Sequence, residues 1–285
     1  MKTVHSLREL RAELATARSA GETVGFVPTM GALHEGHLSL VRRAKKECGI
    51  AAVSIFVNPL QFGPGEDFAR YPRHPEQDAA LLASAGADLL YAPRSDDFFP
   101  SGFSTAVEVS GVTEGGEGAV RPGHFRGVTT IVARLFLQVA PDAAYFGRKD
   151  LQQIAVVRRM VRDLDFPIRI VACEIMRDPD GLAMSSRNAY LSAEDRARAA
   201  ALSRALFAAR DRAAAGEKET SALERETRLA LEGAGLSVDY VEAVDAETME
   251  RATRVVPGVA LAAGVRLGKT RLIDNVLLEA ERNPP

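Results

Sequence analysis

Cysteine is nearly absent: Cys48 and Cys173 are the only two in the chain. That count excludes a disulfide framework and a multi-cysteine zinc site. Each cysteine lies in or beside an apolar run, "KKECGIAAVSIF" and "IRIVACEIM", so both read as buried thiols of a reducing compartment. Long hydrophobic runs are missing too. None approaches the ~18 apolar residues of a membrane span, and "MKTVHSLRELRAEL" lacks the apolar core of a secretory signal. The expectation is a cytoplasmic, non-membrane protein. Charge of one sign is also missing. A formal net charge of −2 gives no field for a polyanion such as nucleic acid, so any anion site must be local.

What the chain does have is material for a core. Its 285 residues are 46% hydrophobic, enough for one large α/β domain or one of ~150–180 residues with a smaller companion. Short apolar runs at 24–27, 51–57, 88–91, 143–146 and 168–173 read as strands buried on both faces. Helical patterns at 38–47, 75–85, 128–139 and 151–164 fall between them. This alternation predicts an α/β fold, a Rossmann-like doubly wound parallel sheet with helices on both faces, because parallel strands need covering crossovers. Ligands of such sheets bind at the carboxyl ends of the strands.

After Arg187 the texture changes. "SAEDRARAAALSRALFAARDRAAAG" predicts a helix with a capping start at Ser192 and Asp195. A helix at 222–231 and strands near 238–244, 259–263 and 272–278 follow. The expected division is a larger α/β domain at 1–176 and a smaller α+β C-terminal domain at 177–285. The glycine-rich 110–127, "SGVTEGGEGAVRPGHFRG", reads as a long mobile loop of the kind that often carries function.

The stretch with the most chemistry is "PTMGALHEGHLSLV", 28–41, where a strand opens into a glycine-bearing turn with His34 and His37 at the mouth of a helix. Zinc fits poorly, since the zincin motif needs H-E-x-x-H and here the spacing is one shorter. A P-loop fails as well, because His37 and Leu38 stand where Lys and Ser/Thr belong. "GKT", 268–270, has Ala263 where a Walker glycine should be. Two readings stay open. Either two imidazoles beside a positive helix end donate to phosphoryl oxygens, or they satisfy backbone carbonyls at a tight turn.

Other segments carry similar pairs of readings. In "FVNPLQFGPGEDF" Gln61 is either a turn side chain or an amide that meets a carboxylate and a hydroxyl at once. Tyr71 is a possible pocket-lining residue, and Asp78 is equally a solvated helix-start residue or a magnesium contact. In "YFGRKDLQQ" Asp150 fits an N-cap with Gln153 as capping-box partner, while Lys149 offers a cation at a strand's carboxyl end. In "DGLAMSSRNAYL" Ser185, Ser186 and Arg187 are either loop residues or a triphosphate clamp of hydroxyls, N–H groups and a guanidinium. Arg121, His124 and Arg126 of "RPGHFRGV" either steer anions or keep a loop soluble.

Taken with "SIFVNPLQFGPGEDF", "RPGHFRGV", "YFGRKDLQQ" and "DGLAMSSRNAYL" in this order, the turn resembles the signature of the pantoate–β-alanine ligase (pantothenate synthetase) family. Its HEGH element is similar to the HIGH motif of the wider class of Rossmann-type nucleotidyltransferases. The likeness covers essentially the whole chain, and it implies that 1–176 binds nucleotide and pantoate while 177–285 acts as a lid. The 185–187 segment resembles the KMSKS loop of that class but has neither lysine. The resemblance implies an enzyme that condenses (R)-pantoate with β-alanine through a pantoyl adenylate, releasing AMP and pyrophosphate, with ATP as substrate, Mg²⁺ as its cofactor and a homodimer as the assembly. It implies catalytic roles for His34, His37, Lys149, Ser185, Ser186 and Arg187. For ATP it adds Met30, Gly31, Gly147, Asp150, Met176 and Met184, and for pantoate and β-alanine it gives Gln61 and Gln153; metal ligands stay unassigned. A transferase that hands a nucleotide to a phosphate ester, a tRNA synthetase and a non-catalytic nucleotide-binding protein are the rivals.

Overall fold

The computed structural model describes residues 1–278. The chain divides into two compact units. The first comprises Met1–Val109, Pro122–Arg148 and Val156–Glu174. The second comprises Ser110–Arg121, Lys149–Ala155 and everything from Ile175 on. Beyond the expected cut at 176/177, the second unit therefore also takes in two short pieces, which carry Arg121, Lys149, Asp150 and Gln153.

The first unit is built on β1 (Lys2–Val4), β2 (Val24–Thr29), β3 (Ile50–Ile55), β4 (Leu89–Tyr91), β5 (Ala143–Gly147) and β6 (Arg169–Cys173). All pair in parallel, in the order β1-β4-β3-β2-β5-β6. Helices α1 (Leu7–Ser19), α2 (Glu35–Glu47), α3 (Pro75–Ser84), α4 (Ser95–Phe98) and α6 (His124–Val139) belong to this unit, and α5 (Gly116–Val120) belongs to the second. Helix α7 (Leu151–Asp163) begins in the second unit and ends in the first. This is the expected Rossmann-like sheet. Strand order reverses at β2, whose neighbours β3 and β5 lead to opposite edges, so the crevice of such a sheet lies beyond the carboxyl ends of β2 and β5. Those ends are the start of the histidine turn and Gly147.

Val27, Val41, Val53, Leu82, Leu90 and Tyr145 form the centre of one core layer under α2 and α3. Two features depart from the sequence reading. Strand β1 and helix α1 lie outside it: three residues are too short to show alternation, although Ser6 and Glu9 form a capping box before α1. Strand β6 is not buried on both faces. Arg169 is exposed and Ile170 and Ala172 are half-buried, as an edge strand with one open side requires.

In the second unit β7 (Ser237–Asp245), β8 (Val259–Leu267) and β9 (Thr270–Leu277) form an antiparallel sheet in chain order. The Ala/Arg-rich stretch forms two helices rather than one, α8 (Ala193–Ala199) and α9 (Ala201–Ala214), with Ser192 accepting the Asp195 N–H. Helix α10 (Thr220–Gly233) follows. One face of the sheet packs on α9 and α10 through Leu202, Leu206, Leu223, Leu261 and Val276.

The segment 110–127 is not an open loop. It contains α5 and the start of α6. Glu117 is buried and accepts from Arg271 Nη1 at 2.6 Å and from Tyr240 Oη at 3.0 Å. Burial, with the Glu117 carboxylate beside it, pushes the Tyr240 phenol well above its ordinary range and keeps it a donor. Gln152 completes the anchoring, accepting the Glu117 N–H at 2.9 Å and donating to the Val112 and Gly115 carbonyls.

Candidate active site

In the first unit the turn after β2 is shaped by two consecutive left-handed residues, Gly31 at φ +81° and Ala32 at φ +50°. A Cβ at position 31 would lie 3.0 Å from Asp78 Oδ2, so glycine is required by both φ and space. Successive residues of this kind turn neighbouring N–H groups toward one anion. Here that anion is internal: Asp78 accepts the Ala32 N–H at 2.9 Å and the Leu33 N–H at 2.8 Å. Asp78 is 2% exposed, so it is no solvated residue, and each of its oxygens accepts an N–H of the turn.

His34 is the N-cap of α2, and both histidines take part in the cap. Gly36 N–H donates to His34 Nδ1 at 3.2 Å, and His34 N–H donates to His37 Nδ1 at 3.4 Å. The rings lie 4.1 Å apart between centroids. The imidazoles thus accept at Nδ1 from backbone N–H groups, a kind of partner neither sequence reading names. The consequence is chemical: a neutral imidazole that accepts at Nδ1 carries its proton on Nε2. The cap fixes each ring as an Nε2–H donor beside a positive helix end.

Gln61 Nε2 lies 3.0 Å from the sulfur of Met30, and Gln61 Oε1 accepts from Asn58 Nδ2 at 3.0 Å. The structure thereby brings two of the expected site residues together. His124 Nδ1 hydrogen-bonds the Gln61 carbonyl at 2.9 Å, so His124 holds the turn in place. Asn58, 1% exposed, also donates to the Gly127 carbonyl at 3.1 Å. Tyr71 is buried with its ring edge-on to Phe62. A cleft of about 380 Å³ opens beside this turn, lined by Gln61, Phe62, Phe103, Pro122, His124 and Arg126 among others. Arg126 stays exposed, 4.0 Å from Glu108. Arg121 does not: its guanidinium is turned toward buried Glu117 at 3.7 Å within the second unit.

Gly127 makes the closest approach in this region. A Cβ there would stand 2.1 Å from the Leu60 carbonyl oxygen and 2.6 Å from the Gln61 nitrogen, both backbone. Gly127→Ala is therefore expected to push the 58–61 turn away, lowering stability by about 1–3 kcal/mol. Thermal melting checks this; an alanine variant that melts at the wild-type temperature refutes it.

In the second unit Lys149, 19% exposed, holds its ammonium 3.2 Å from Asp150 Oδ2. Asp150 forms this ion pair just before α7, in a short 3₁₀ turn Arg148–Asp150. Met184 N–H donates to the Met176 carbonyl at 2.9 Å, closing a tight loop that brings these two residues together. Ser185 Oγ accepts the Arg187 N–H at 3.3 Å and caps the 3₁₀ turn Ser186–Tyr190. Gln153 lies in the first turn of α7. The expected residues thus fall into two sets. Met30, Gly31, His34, His37, Gln61 and Gly147 belong to the first unit; Lys149, Asp150, Gln153, Met176, Met184, Ser185, Ser186 and Arg187 belong to the second. Among the described residues no three His, Cys, Asp or Glu side chains cluster to hold a metal ion.

Sequence reasoning undervalues Asn58, Asp78, His124 and Gly127. The first three bond backbone groups and Gly127 leaves room for one, which no residue spacing announces. The one available signal is the pairing of turn glycines with polar side chains remote in sequence.

A parallel sheet with a strand–turn–helix bearing two imidazoles at its reversal point places the chain among Rossmann-like α/β proteins, whose ligands bind at the carboxyl ends of the strands. The family model described as pantoate–β-alanine ligase matches residues 2–277, and the chain belongs to that family. It is 50% identical over 280 residues to the pantothenate synthetase of Heliobacterium modesticaldum, covering 98% of this chain and all of that one. To that of Chloroflexus aurantiacus it is 51% identical over 283 residues, 99% of each. The crystal structure of pantothenate synthetase from Thermus thermophilus matches with a TM-score of 0.93 at 51% identity, over 98% of this chain and 99% of that one. Pantoate–β-alanine ligase from Francisella tularensis, solved in complex with β-γ ATP and β-alanine, matches at 0.81 and 32% identity, over 98% of each chain.

Proposed function

We propose that this ligase joins pantoate to β-alanine in two steps, with the residues above holding charge and position rather than forming covalent bonds. A carboxylate is a poor acyl donor because oxide would have to leave. Attack of a pantoate carboxylate oxygen on the α-phosphorus of ATP breaks the bond to the bridging oxygen and expels pyrophosphate. The pantoyl adenylate then loses AMP when the β-alanine amine attacks its acyl carbon and sheds a proton. Positioning and charge neutralisation suffice for both steps.

His34 and His37 donate from Nε2 to phosphoryl oxygens, and Lys149, Ser185, Ser186 and Arg187 offset charge on the β- and γ-phosphates. Met30, Gly31, Gly147, Asp150, Met176 and Met184 contact the rest of the nucleotide. Gln61 and Gln153 bind pantoate, and Gln61 also meets the amine. Mg²⁺ fits as an ion carried by the nucleotide's phosphates, since magnesium is commonly held by substrate phosphates with few carboxylates; it would screen their charge. The reading includes a homodimer in the cytoplasm. No helix among the described residues is long and apolar enough to cross a membrane.

The observation that carries these roles is the double cap, which fixes both rings as Nε2–H donors at a helix N-terminus. ATP–pyrophosphate exchange with and without pantoate tests it. Exchange that requires pantoate supports the reading, whereas exchange that requires a phosphate ester instead points to a simple nucleotidyltransferase.

A further inference from the structure

Strand β9 contains a charge where its pattern calls for an apolar residue. In "RLIDNVLL" Leu272 and Val276 face the helices of the second unit, and Asp274 falls on that same face by alternation. Its side chain is fully buried. Arg177 meets it with both nitrogens, Nη1–Oδ2 at 2.6 Å and Nη2–Oδ1 at 2.9 Å. The same Arg177 Nη1 donates to the Gly181 carbonyl at 3.1 Å, and the guanidinium lies 4.7 Å from the Phe207 ring centroid. Arg177 and Gly181 bracket the turn that leads into Met184, Ser185, Ser186 and Arg187. Burial pushes the Asp274 carboxyl up, while Arg177, and more weakly the charge of Lys149, pull it down.

Asn275 points to the opposite face, shared with Leu277, which packs near Leu151 and Ala260. Its backbone N–H donates to Asp274 Oδ1 at 2.8 Å, which ties the carboxylate to the strand backbone, and its side-chain Nδ2 donates to the Lys149 carbonyl at 3.1 Å. Asn275 is 2% exposed. One dipeptide, with side chains on the two faces of one strand, thus holds two loops that are distant in sequence.

We propose that Asp274 and Asn275 are positioning residues for adenylation, setting the 185–187 clamp through Arg177 and the Lys149 backbone through the Asn275 amide. This rests on the functional reading above. Neither residue touches substrate in this scheme. Their effect is confined to the nucleotide's phosphates, so it should appear in the first half-reaction and spare the amine.

Asp274→Asn, Arg177→Lys and Asn275→Ser test it. Each folded variant is expected to slow pantoate-dependent pyrophosphate exchange about tenfold to a hundredfold and to raise KM for ATP. KM for β-alanine is expected to stay within about twofold of the wild type. Should Asp274→Asn leave Arg177 unpaired and fail to fold, Asn275→Ser decides alone, since it removes only an amide donor. Wild-type exchange in a folded Asn275→Ser protein overturns the proposal, as does an equal rise in KM for ATP and β-alanine. If the wild type itself shows no pantoate-dependent exchange, the functional reading fails, an outcome distinct from normal wild-type activity with indifferent variants.

Discussion

Replacing His37 with alanine is expected to slow pantoate-dependent pyrophosphate exchange by ~10²–10³, the usual cost of losing one aligned donor in a transition state. The fold should survive, because the structural part of the loss is small. His37 Nδ1 accepts the His34 N–H at 3.4 Å, a long and weak bond, so the cap costs about 0.5–1 kcal/mol. That corresponds to a fall in Tm of about 1–4 °C for a chain of this size. The chemical part is the lost Nε2–H. His34→Ala removes a shorter bond, to the Gly36 N–H at 3.2 Å, and should cost somewhat more stability with a similar loss of exchange. A well-folded His37→Ala protein that exchanges at the wild-type rate rules out the role.

The second large effect is expected at a residue remote in sequence from the histidine turn. Asp78→Ala leaves two N–H groups, of Ala32 and Leu33, without the carboxylate that now accepts both. Hydrogen bonds to a charged group are worth about 1.5–3 kcal/mol each, so the variant should lose about 3–5 kcal/mol and melt roughly 10 °C lower. The left-handed pair Gly31 and Ala32 would relax, and His34 would no longer be presented as the cap of α2. Exchange activity should fall with stability and should not recover at low temperature. Asp78→Asn keeps one acceptor but turns an amide donor toward the other N–H, so it is expected to fall between. An alanine variant melting within about 2 °C of the wild type would show that the nest is held by something else.

Much of this is written locally in the chain. Parallel β/α alternation follows from apolar runs spaced by helical patterns, and the histidine turn, Gln61, Lys149 and the 185–187 segment stand out because their residue types cannot be explained by packing alone. The detail the sequence does not give at the histidines, backbone N–H groups bonded to Nδ1, concerns whether that ring nitrogen accepts or donates. Asp78 is different. Nothing within ten residues of it shows that its carboxylate fills a turn whose N–H donors lie 45 and 46 residues earlier. Segment 110–127 misleads for the same reason: its glycines suggest mobility, while the Glu117 anchor is supplied by Arg271, 154 residues away.

Sequence by itself determined the class of sheet and the place of the histidine turn at the carboxyl end of its first long strand, because periodicity, glycine and caps act over a few residues. Only the tertiary structure decided which nitrogen of each imidazole carries the proton and which carboxylate closes the turn. It also placed Asp274 and Asn275 of β9 against two remote loops. Those facts depend on buried hydrogen bonds between segments distant in the chain, and such bonds are chosen by packing, where an unpaired polar group is too costly to leave.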